Sequence, residues 1–369
     1  MLGSILAVAA LCATAVFGAS LTHLTTTPAL YGGSYDAAFE TNSTASPAQA
    51  EQMLTGVERQ SGISDITAGI GADTSINGKI VSAIGGQELR GRLVLTVING
   101  RVPGADDEVA LGATTMRQVG AHLESRVRVT VTGASGVAHT SLYRVDGTVT
   151  FPPELGGGGL GIGALFTLDG LLGGRCPTGP SQRSCQLQAV ISTGGTFLVR
   201  TAPGREGHAA LATLARTWPI EVSYPVPPTN LVNFGEAVNF PLLFGLTLIV
   251  FGVATLSHAL VVSVARRRRE VGLLKALGFL RRQVAFSVSW QTTTIAVVGI
   301  VVGVPVGIVA GRFIWRAFAV NLGVLPVPVV TVWVIAAVAA GTVLAANVLA
   351  IGPAVVAARL RPVSLLRSE

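Results

Sequence analysis

Four long apolar segments constrain the fold of this chain more than any other feature. About 20 apolar residues are needed to cross the ~30 Å hydrocarbon core of a bilayer. Four stretches reach that length without any Asp, Glu, Lys or Arg: 1–21, 237–265, 284–311 and 329–352. Only 12% of all residues are charged, and the mean hydropathy is +0.60. The sequence therefore predicts a multi-pass protein of the cell membrane with four transmembrane α-helices.

The first apolar segment has two interpretations. A secretory signal peptide begins with a positively charged region, and no Lys or Arg accompanies the run "LGSILAVAALCATAVFGASL" that starts at Leu2. We therefore expect a retained transmembrane helix over residues 1–21 rather than a cleaved leader.

Positive charge is concentrated in one short segment between the second and third spans, residues 266–283, which we call the hinge. The 236 residues before the second span hold 14 Lys and Arg against 17 Asp and Glu, whereas the hinge holds seven Lys and Arg against Glu270. A charge distribution of this kind argues against a nucleic-acid-binding face. Because Lys and Arg remain on the cytoplasmic side of a membrane, we expect the hinge to be inside the cell.

This orientation fixes the remaining segments. The tail 353–369 is expected in the cytoplasm, and the region 22–236 is expected outside it. Arg312 and Arg316 follow the third span and depart from the charge rule, so their long side chains are expected to reach the outer interface.

The region 22–236 predicts a large extracytoplasmic domain of mixed α/β structure. The stretches "RVRVTVTG" and "LYRVDGTVTF" alternate with period two and predict strands. "GREGHAALATLARTW" predicts a helix, as does "SPAQAEQMLTGVERQ", with Ser46 as its N-cap and Pro47 in its first turn. The glycine run from Gly156 to Gly163 predicts a turn or a lobe boundary.

Motifs for catalysis are missing from the sequence. It contains no G-x-x-x-x-G-K-[ST], no H-E-x-x-H and no G-x-S-x-G. His122, His139 and His208 are scattered without the spacing of a metal site. We therefore expect a non-catalytic subunit that itself binds no metal and no cofactor.

Two cysteines lie close together in the polar region. Cys176 and Cys185 have neither CxxC spacing nor a nearby histidine, which argues against zinc. A disulfide is expected if this region lies outside the cytoplasm, and two unpaired thiols are the alternative. Cys12 lies in the first apolar run and is interpreted as a packing residue.

Small residues mark the third span at a spacing of four. Gly299, Gly303, Gly307 and Gly311 fall on one helix face, where a neighbouring helix can approach closely. The alternative is that membrane helices are simply rich in glycine. His258, inside the second span, is expected to be a hydrogen-bonded packing residue, with a proton-relay role as the alternative.

The hinge sequence "REVGLLKALGFLRRQ" predicts a short cytoplasmic helix with Val271, Leu274 and Leu277 on one face. It resembles the coupling helix of ABC-transporter permeases of the MacB/FtsX-like family. The residues that carry the resemblance are Glu270, Gly272, Lys275, Ala276 and Gly278. A helix lying on anionic lipid is the alternative interpretation of this segment.

Two other segments share the resemblance. The tail "GPAVVAARLRPVSLLRSE" is similar to the C-terminal signature of the family, and "NGRVPGADDEVALGATTMRQVGAHLESRVRVT" resembles a MacB-like periplasmic core. "FGASLTHLTTTPALYGGSYD" resembles the middle of double-length permeases, so the chain is expected to correspond to their C-terminal four-span unit.

The resemblance implies a division of labour between subunits. A separate ABC ATP-binding subunit would bind ATP and Mg²⁺ and dock on the hinge through Glu270, Gly272, Leu274, Lys275, Ala276, Leu277 and Gly278. Movement of the helices would pass to the external domain, a process called mechanotransmission. A second permease copy or half and membrane lipid are the other partners implied, and nucleic acid is not one.

The implied activity is export or extraction of peptide, antibiotic or lipid substrates. One alternative is an FtsX-type regulator of an extracellular cell-wall hydrolase, which transports nothing. A membrane-anchored binding module is a further alternative, which the hinge argues against because an anchor needs no ATPase-docking site.

Overall fold

A computed structural model describes residues 2–40, 52, 55–92, 95–132, 138–151, 159–179, 181–217, 222–225, 243–245, 247, 250–255, 258, 262 and 281–359. The chain divides into two compact units. The first comprises residues 1–23, 234–316 and 327–369, and the second comprises residues 24–233 and 317–326.

The first unit is helical. Helix α1 (Leu2–Thr26), helix α6 (Arg281–Leu322) and helix α7 (Val332–Arg359) each contain a stretch long and apolar enough to span a membrane, with mean hydropathies of 2.1, 2.4 and 2.3. The described residues of 243–255 are also helical. The structure thus supports a membrane protein with three candidate spans. The second predicted span, 237–265, falls largely outside the described residues, so the count of four stays a prediction.

Helix α6 is longer than the predicted span 284–311. It starts within the hinge, at Arg281, and continues past Arg312 and Arg316 to Leu322. Both arginines are exposed on its outer turns. The apolar stretch without charge ends at Gly311, so the helix carries these two charges beyond its apolar part.

The second unit is a mixed α/β domain, as the sequence predicts. Its helices are α2 (Ala113–Gln118), α3 (Leu168–Leu172), α4 (Gln182–Ser192) and α5 (Arg205–Thr217). Its described strands are β1 (Ala37–Glu40), β2 (Ile63–Ile76), β3 (Lys79–Arg90), β4 (Val97–Gly100), β5 (Glu108–Leu111), β6 (Arg126–Thr132), β7 (Ala138–Val149), β8 (Ala164–Thr167), β9 (Thr196–Thr201) and β10 (Val222–Ser223).

The strands form one sheet that closes on itself. Strand β2 pairs with β3, and the pairing continues through β8, β5, β7 and β6. Strand β6 then returns to the end of β2, where Ile76 pairs with Val129, so six strands make a closed ring. Strand β9 pairs with the first half of β2, along the edge whose last residues pair with β6. Strands β1 and β10 then extend the sheet beyond β9.

Period-two alternation builds two apolar layers from the same strands. Val109 and Leu111 of β5 pack in the main core, whereas Ala110 between them packs in a second cluster with Leu165 and Phe151. All five are buried. Strands buried on both faces are near-continuous apolar runs, which explains why "EVALG" and "GALFT" show no alternation of polar residues.

Most local predictions for this domain that fall on described residues agree with the structure. The two alternating stretches are β6 and β7, and the stretch after Pro203 is α5. Residues 55–59 are helical, while Ser46 and Pro47, the predicted start of that helix, lie outside the described residues. Cys176 and Cys185 form a disulfide with a Cα–Cα distance of 5.6 Å, which ties the α3–α4 connection to the first turns of α4.

Candidate functional site

The predicted ATPase-docking residues lie outside the part of the chain that the structure describes. This applies to Glu270, Gly272, Leu274, Lys275, Ala276, Leu277 and Gly278. Their role therefore stays a prediction. The described chain resumes at Arg281, which the sequence assigns to the hinge and which is already helical.

The glycine face of the third span lies against α1. A Cβ added at Gly303 would lie 2.8 Å from the carbonyl oxygen of Ile5, and one at Gly307 would lie 2.4 Å from that of Ala9. Real Cβ atoms essentially never approach other atoms within 3.0 Å. At these two positions α6 therefore contacts the backbone of α1 at a distance that only glycine permits.

The four glycines of α6 that face α1 form a packing seam, and the contacts at its two ends show the relative direction of the two helices. A Cβ added at Gly299 would lie 3.5 Å from the Cβ of Ser4, and one added at Gly311 would lie 2.9 Å from the Cβ of Val16. Residue numbers rise together along both helices, so α6 runs parallel to α1. Both helices therefore cross the bilayer in the same sense.

The helical residues of 243–255 pack on another face of α1 in the opposite sense. An added Cβ at Gly252 would meet Ala7 at 3.2 Å, and one at Gly3 would meet Thr255 at 2.8 Å. Along these contacts the residue number rises in this helix as it falls in α1, so this helix is antiparallel to α1. His258, predicted to pack inside the bundle, lies on an exposed face of its helix.

Polar contacts between the described helices include two that were not predicted from the sequence. The hydroxyl of Thr293 in α6 donates to Asn347 Oδ1 in α7 at 3.2 Å. At the other end of α7, the N–H of Val329 donates to Ser20 Oγ of α1 at 2.9 Å. Polar residues in spans often hydrogen-bond between helices, which is the signal that identifies Asn347. These contacts make α7 antiparallel to both α1 and α6.

The end of α6 and the loop after it are held by the sheet domain. Arg117 of α2 donates to the carbonyl oxygen of Asn321 at 3.1 Å, and the Thr150 hydroxyl donates to that of Gly323 at 3.0 Å. Gly323 has φ +81, and a Cβ there would lie 2.4 Å from the Cα of Gly161. A cation at the last carbonyls of a helix also complements the helix dipole. This attachment therefore needs glycine at both Gly161 and Gly323.

A four-membered charge cluster joins β5 and β7 in the same domain. Arg101 and Arg144 both donate to Glu108 Oε1, at 2.6 and 2.7 Å, and both contact Asp146. Glu108 is only 6% exposed and also accepts from the N–H of Gly104. The hydrogen bond from Arg101, followed by those from Gly104 and Arg144, lowers the pKa of Glu108 to about 2. Arg101 and Glu108 lie in the segment that resembles a MacB-like periplasmic core, and Arg144 and Asp146 lie beyond it.

The identity of the membrane unit follows from a comparison with protein families. Residues 242–360 match the family model described as FtsX-like permease C-terminal. This part of the chain is an FtsX-like permease C-terminal domain, and the match supports the predicted permease family. The matched region contains the hinge, α6 and all of α7. A search of curated proteins found no match to the chain.

The match to this family has direct consequences. FtsX-like permeases are non-catalytic membrane subunits of ABC transporters, and their function implies an ABC ATPase partner. The predicted family is therefore confirmed, and so is the general class of membrane subunit. The match begins within the second predicted span, so α1 and the strands β1 to β10 lie outside the matched region.

Proposed function

We propose that this FtsX-like permease transmits the movement of a separate ABC ATPase to an extracytoplasmic sheet domain. The observation that carries the proposal is the single helix α6. It begins at Arg281 in the hinge, continues for 42 residues to Leu322, and ends where Arg117 and Thr150 hold the chain. At 1.5 Å per residue it is about 63 Å long, roughly twice the hydrocarbon thickness. A displacement of the hinge would be passed towards the sheet domain along this one continuous helix, which contains Pro305.

The directions of the described helices support placing the sheet domain outside the cell. Helices α1 and α6 run parallel, while α7 and the helix of 243–255 run against them. The hinge and the C-terminal tail are then on the same side as the start of α1. With the basic hinge inside, residues 22–236 lie outside. A cysteine introduced at the exposed Asp73 should react with an impermeant maleimide in intact cells, and reaction only after permeabilisation would contradict this placement.

The hinge would dock on the ATPase as a short helix. Glu270 would complement the N-terminal dipole of that helix. Leu274 and Leu277 would be buried in a groove of the partner, and Gly272 and Gly278 would allow close approach and a turn. ATP and Mg²⁺ would bind to the ATPase, and this chain would bind no cofactor.

The docking proposal is tested by co-purification with the ATPase. We expect Glu270→Ala combined with Leu274→Asp to abolish association, because the pair removes the helix-start carboxylate and puts a charge at a buried anchor. The matched control neutralises Arg267 and Arg268, which should weaken attraction to anionic lipid and leave docking largely intact. Wild-type recovery of the ATPase with the double variant, or its loss with the control alone, would favour a lipid-surface helix and refute docking.

A second permease copy or half would complete the assembly. The support is the outer face of α7, where Trp333 is 84% and Leu344 66% exposed. Such a face must contact lipid or another apolar helix in the membrane. We expect two differently tagged copies, or this chain and a partner half, to co-purify in mild detergent. Recovery of a single tag only would contradict this arrangement.

The activity proposed for this assembly is export or extraction of peptide, antibiotic or lipid substrates. Regulation of an extracellular cell-wall hydrolase would use the same hinge and the same helix α6. The two differ in their external partner, so a cross-linking search for a hydrolase on the sheet domain distinguishes them.

A further inference from the structure

A small polar cavity in the sheet domain lies apart from the attachment of α6. It has a volume of about 270 Å³ and lies where the end of β8 and α3 meet β3 and α4. Its lining includes Gln87, Thr167, Asp169 and Gln186. Pockets for small ligands are typically about 300–1,000 Å³, so this cavity matches a ligand group of a few heavy atoms.

Asp169 is the central residue of this cavity. It is 7% exposed, and one carboxylate oxygen, Oδ2, accepts hydrogen bonds from the side-chain amides of Gln182 and Gln186. Gln186 in turn accepts from the amide of Gln87. Gln182 and Gln186 are four residues apart on α4, so both face α3. The disulfide at Cys185 fixes the same turns of α4.

Two oxygens of this network have no hydrogen-bond donor. Asp169 Oδ1 and Gln87 Oε1 are both enclosed and unpaired. No ion pair among the described residues involves Asp169, so its charge is balanced by two neutral amides and not by a cation. A buried polar atom without a partner costs free energy comparable to a lost hydrogen bond, and more when the group is charged.

The rim of the cavity adds further negative charge. Glu88 lines it and is exposed, and Asp106 accepts a hydrogen bond from the Thr167 hydroxyl at 2.7 Å. Arg101, which lies beside the lining residue Gly104, is engaged by Glu108 and Asp146. The cavity therefore offers two acceptor oxygens without donors and negative charge, beside the side-chain amides of Gln87 and Gln186.

We propose that this cavity binds a primary ammonium group. An ammonium carries three N–H donors and one positive charge, which matches the two unpaired oxygens and the unbalanced carboxylate. A divalent metal would need more oxygen ligands, and the described residues hold no group of three His, Cys, Asp or Glu side chains that could bind one. The ammonium site does not depend on the coupling to an ATPase, whereas the choice of ligand source rests on the proposed placement of this domain outside the cell.

An ammonium group has two plausible sources outside a cell, a lysine side chain of a peptide and the ethanolamine headgroup of a lipid. The experiment measures binding to the full chain in detergent by isothermal titration, with N-acetyl-lysine methylamide and glycerophosphoethanolamine as separate probes. N-acetyl-norleucine methylamide, which has no ammonium, is the control probe. We expect saturable binding of at least one amine and none of the norleucine compound.

The variant Asp169→Asn keeps the shape and one acceptor oxygen but removes the charge. We expect it to weaken amine binding at least about tenfold, since hydrogen bonds to charged groups are the stronger class. Asp73→Asn, the same charge change at an exposed position of β2, should leave binding unchanged. Gln87→Met is a second variant that spares the carboxylate, and it should weaken binding less.

The outcomes separate clearly. Binding of the lysine compound alone identifies a peptide as the ligand source, and binding of the ethanolamine compound alone identifies a lipid. Absence of binding by both amines, or equal binding by wild type and Asp169→Asn, overturns the proposal and leaves ordered water as the partner of the two oxygens. If Asp169→Asn fails to fold, as judged by its thermal unfolding, the Gln87→Met result decides.

Discussion

Replacing Gly307 by alanine tests whether the glycine face of α6 is a packing seam. The added Cβ would lie 2.4 Å from the Ala9 carbonyl oxygen and 2.6 Å from the Cβ of Cys12. Ordinary contact begins at 3.4 Å, so α1 and α6 must move apart by about 1 Å. The matched control is Gly341→Ala in α7, where an added Cβ meets nothing within 4 Å.

The magnitude follows from two opposing terms. Both substitutions gain helix propensity, up to about 1 kcal/mol, and this gain cancels in the comparison. Only Gly307→Ala adds overpacking, which typically costs about 1–3 kcal/mol. We therefore expect Gly307→Ala to be less stable than Gly341→Ala by about 1–3 kcal/mol. Gly299→Ala, with its nearest atom at 3.5 Å, should resemble Gly341→Ala, and Gly303→Ala should fall between Gly299→Ala and Gly307→Ala.

The assay is equilibrium unfolding in mixed micelles with increasing SDS, followed by tryptophan fluorescence. Trp315 contacts Phe17 across the α1–α6 interface, with ring centroids 5.5 Å apart, so the signal reports on this pair of helices once Trp218, Trp290 and Trp333 are replaced by phenylalanine. Equal stabilities for the Gly307 and Gly341 variants would refute the seam. Equal losses at Gly299 and Gly307 would show that the distances do not determine the effect.

Three further predictions concern the sheet domain. Replacing Cys176 and Cys185 by serine should lower the free energy of unfolding by roughly 2–3 kcal/mol, because the disulfide closes a loop with a sequence separation of 9. Thermal unfolding with and without reductant measures this loss, and an unchanged unfolding midpoint would contradict the prediction. Glu108→Gln should destabilise the domain above pH 4.5 and match wild type as the pH falls towards about 2. The reason is that the lowered pKa of Glu108 in the folded state confers stability that protonation removes. A stability difference that is constant with pH would contradict this prediction. Arg117→Ala should leave the permease inserted but increase hydrogen exchange at 317–322, since the carbonyl of Asn321 loses its donor, and unchanged exchange there would argue against the attachment.

The sequence predicted the membrane class and much of the local structure because both depend on neighbouring residues. Charge-free apolar runs identify spans, and period-two alternation identified β6 and β7. The glycine spacing at 299–311 identified a helix face, although the sequence could not show that α1 is the helix that contacts it.

The remaining features depend on residues far apart in the chain. The return of β6 to β2 that closes the sheet is set by tertiary packing and leaves no local pattern. Gln87, Asp169 and Gln186 are polar residues of ordinary appearance in the sequence, and only the fold brings them together. Arg117 likewise contacts a carbonyl some two hundred positions away. Such pairings could be found from covariation between homologues, but not from one sequence.

The central claim is that the ATPase moves the sheet domain through the hinge and α6. The most direct measurement is the distance between spin labels, attached through non-natural residues at Asp73 in the domain and Trp333 in α7, both exposed. The complex with its ATPase is reconstituted in nanodiscs, with and without ATP. We expect ATP to shift the distance distribution, and Glu270→Ala with Leu274→Asp to abolish the shift. An unchanged distribution in a complex that hydrolyses ATP would contradict the account.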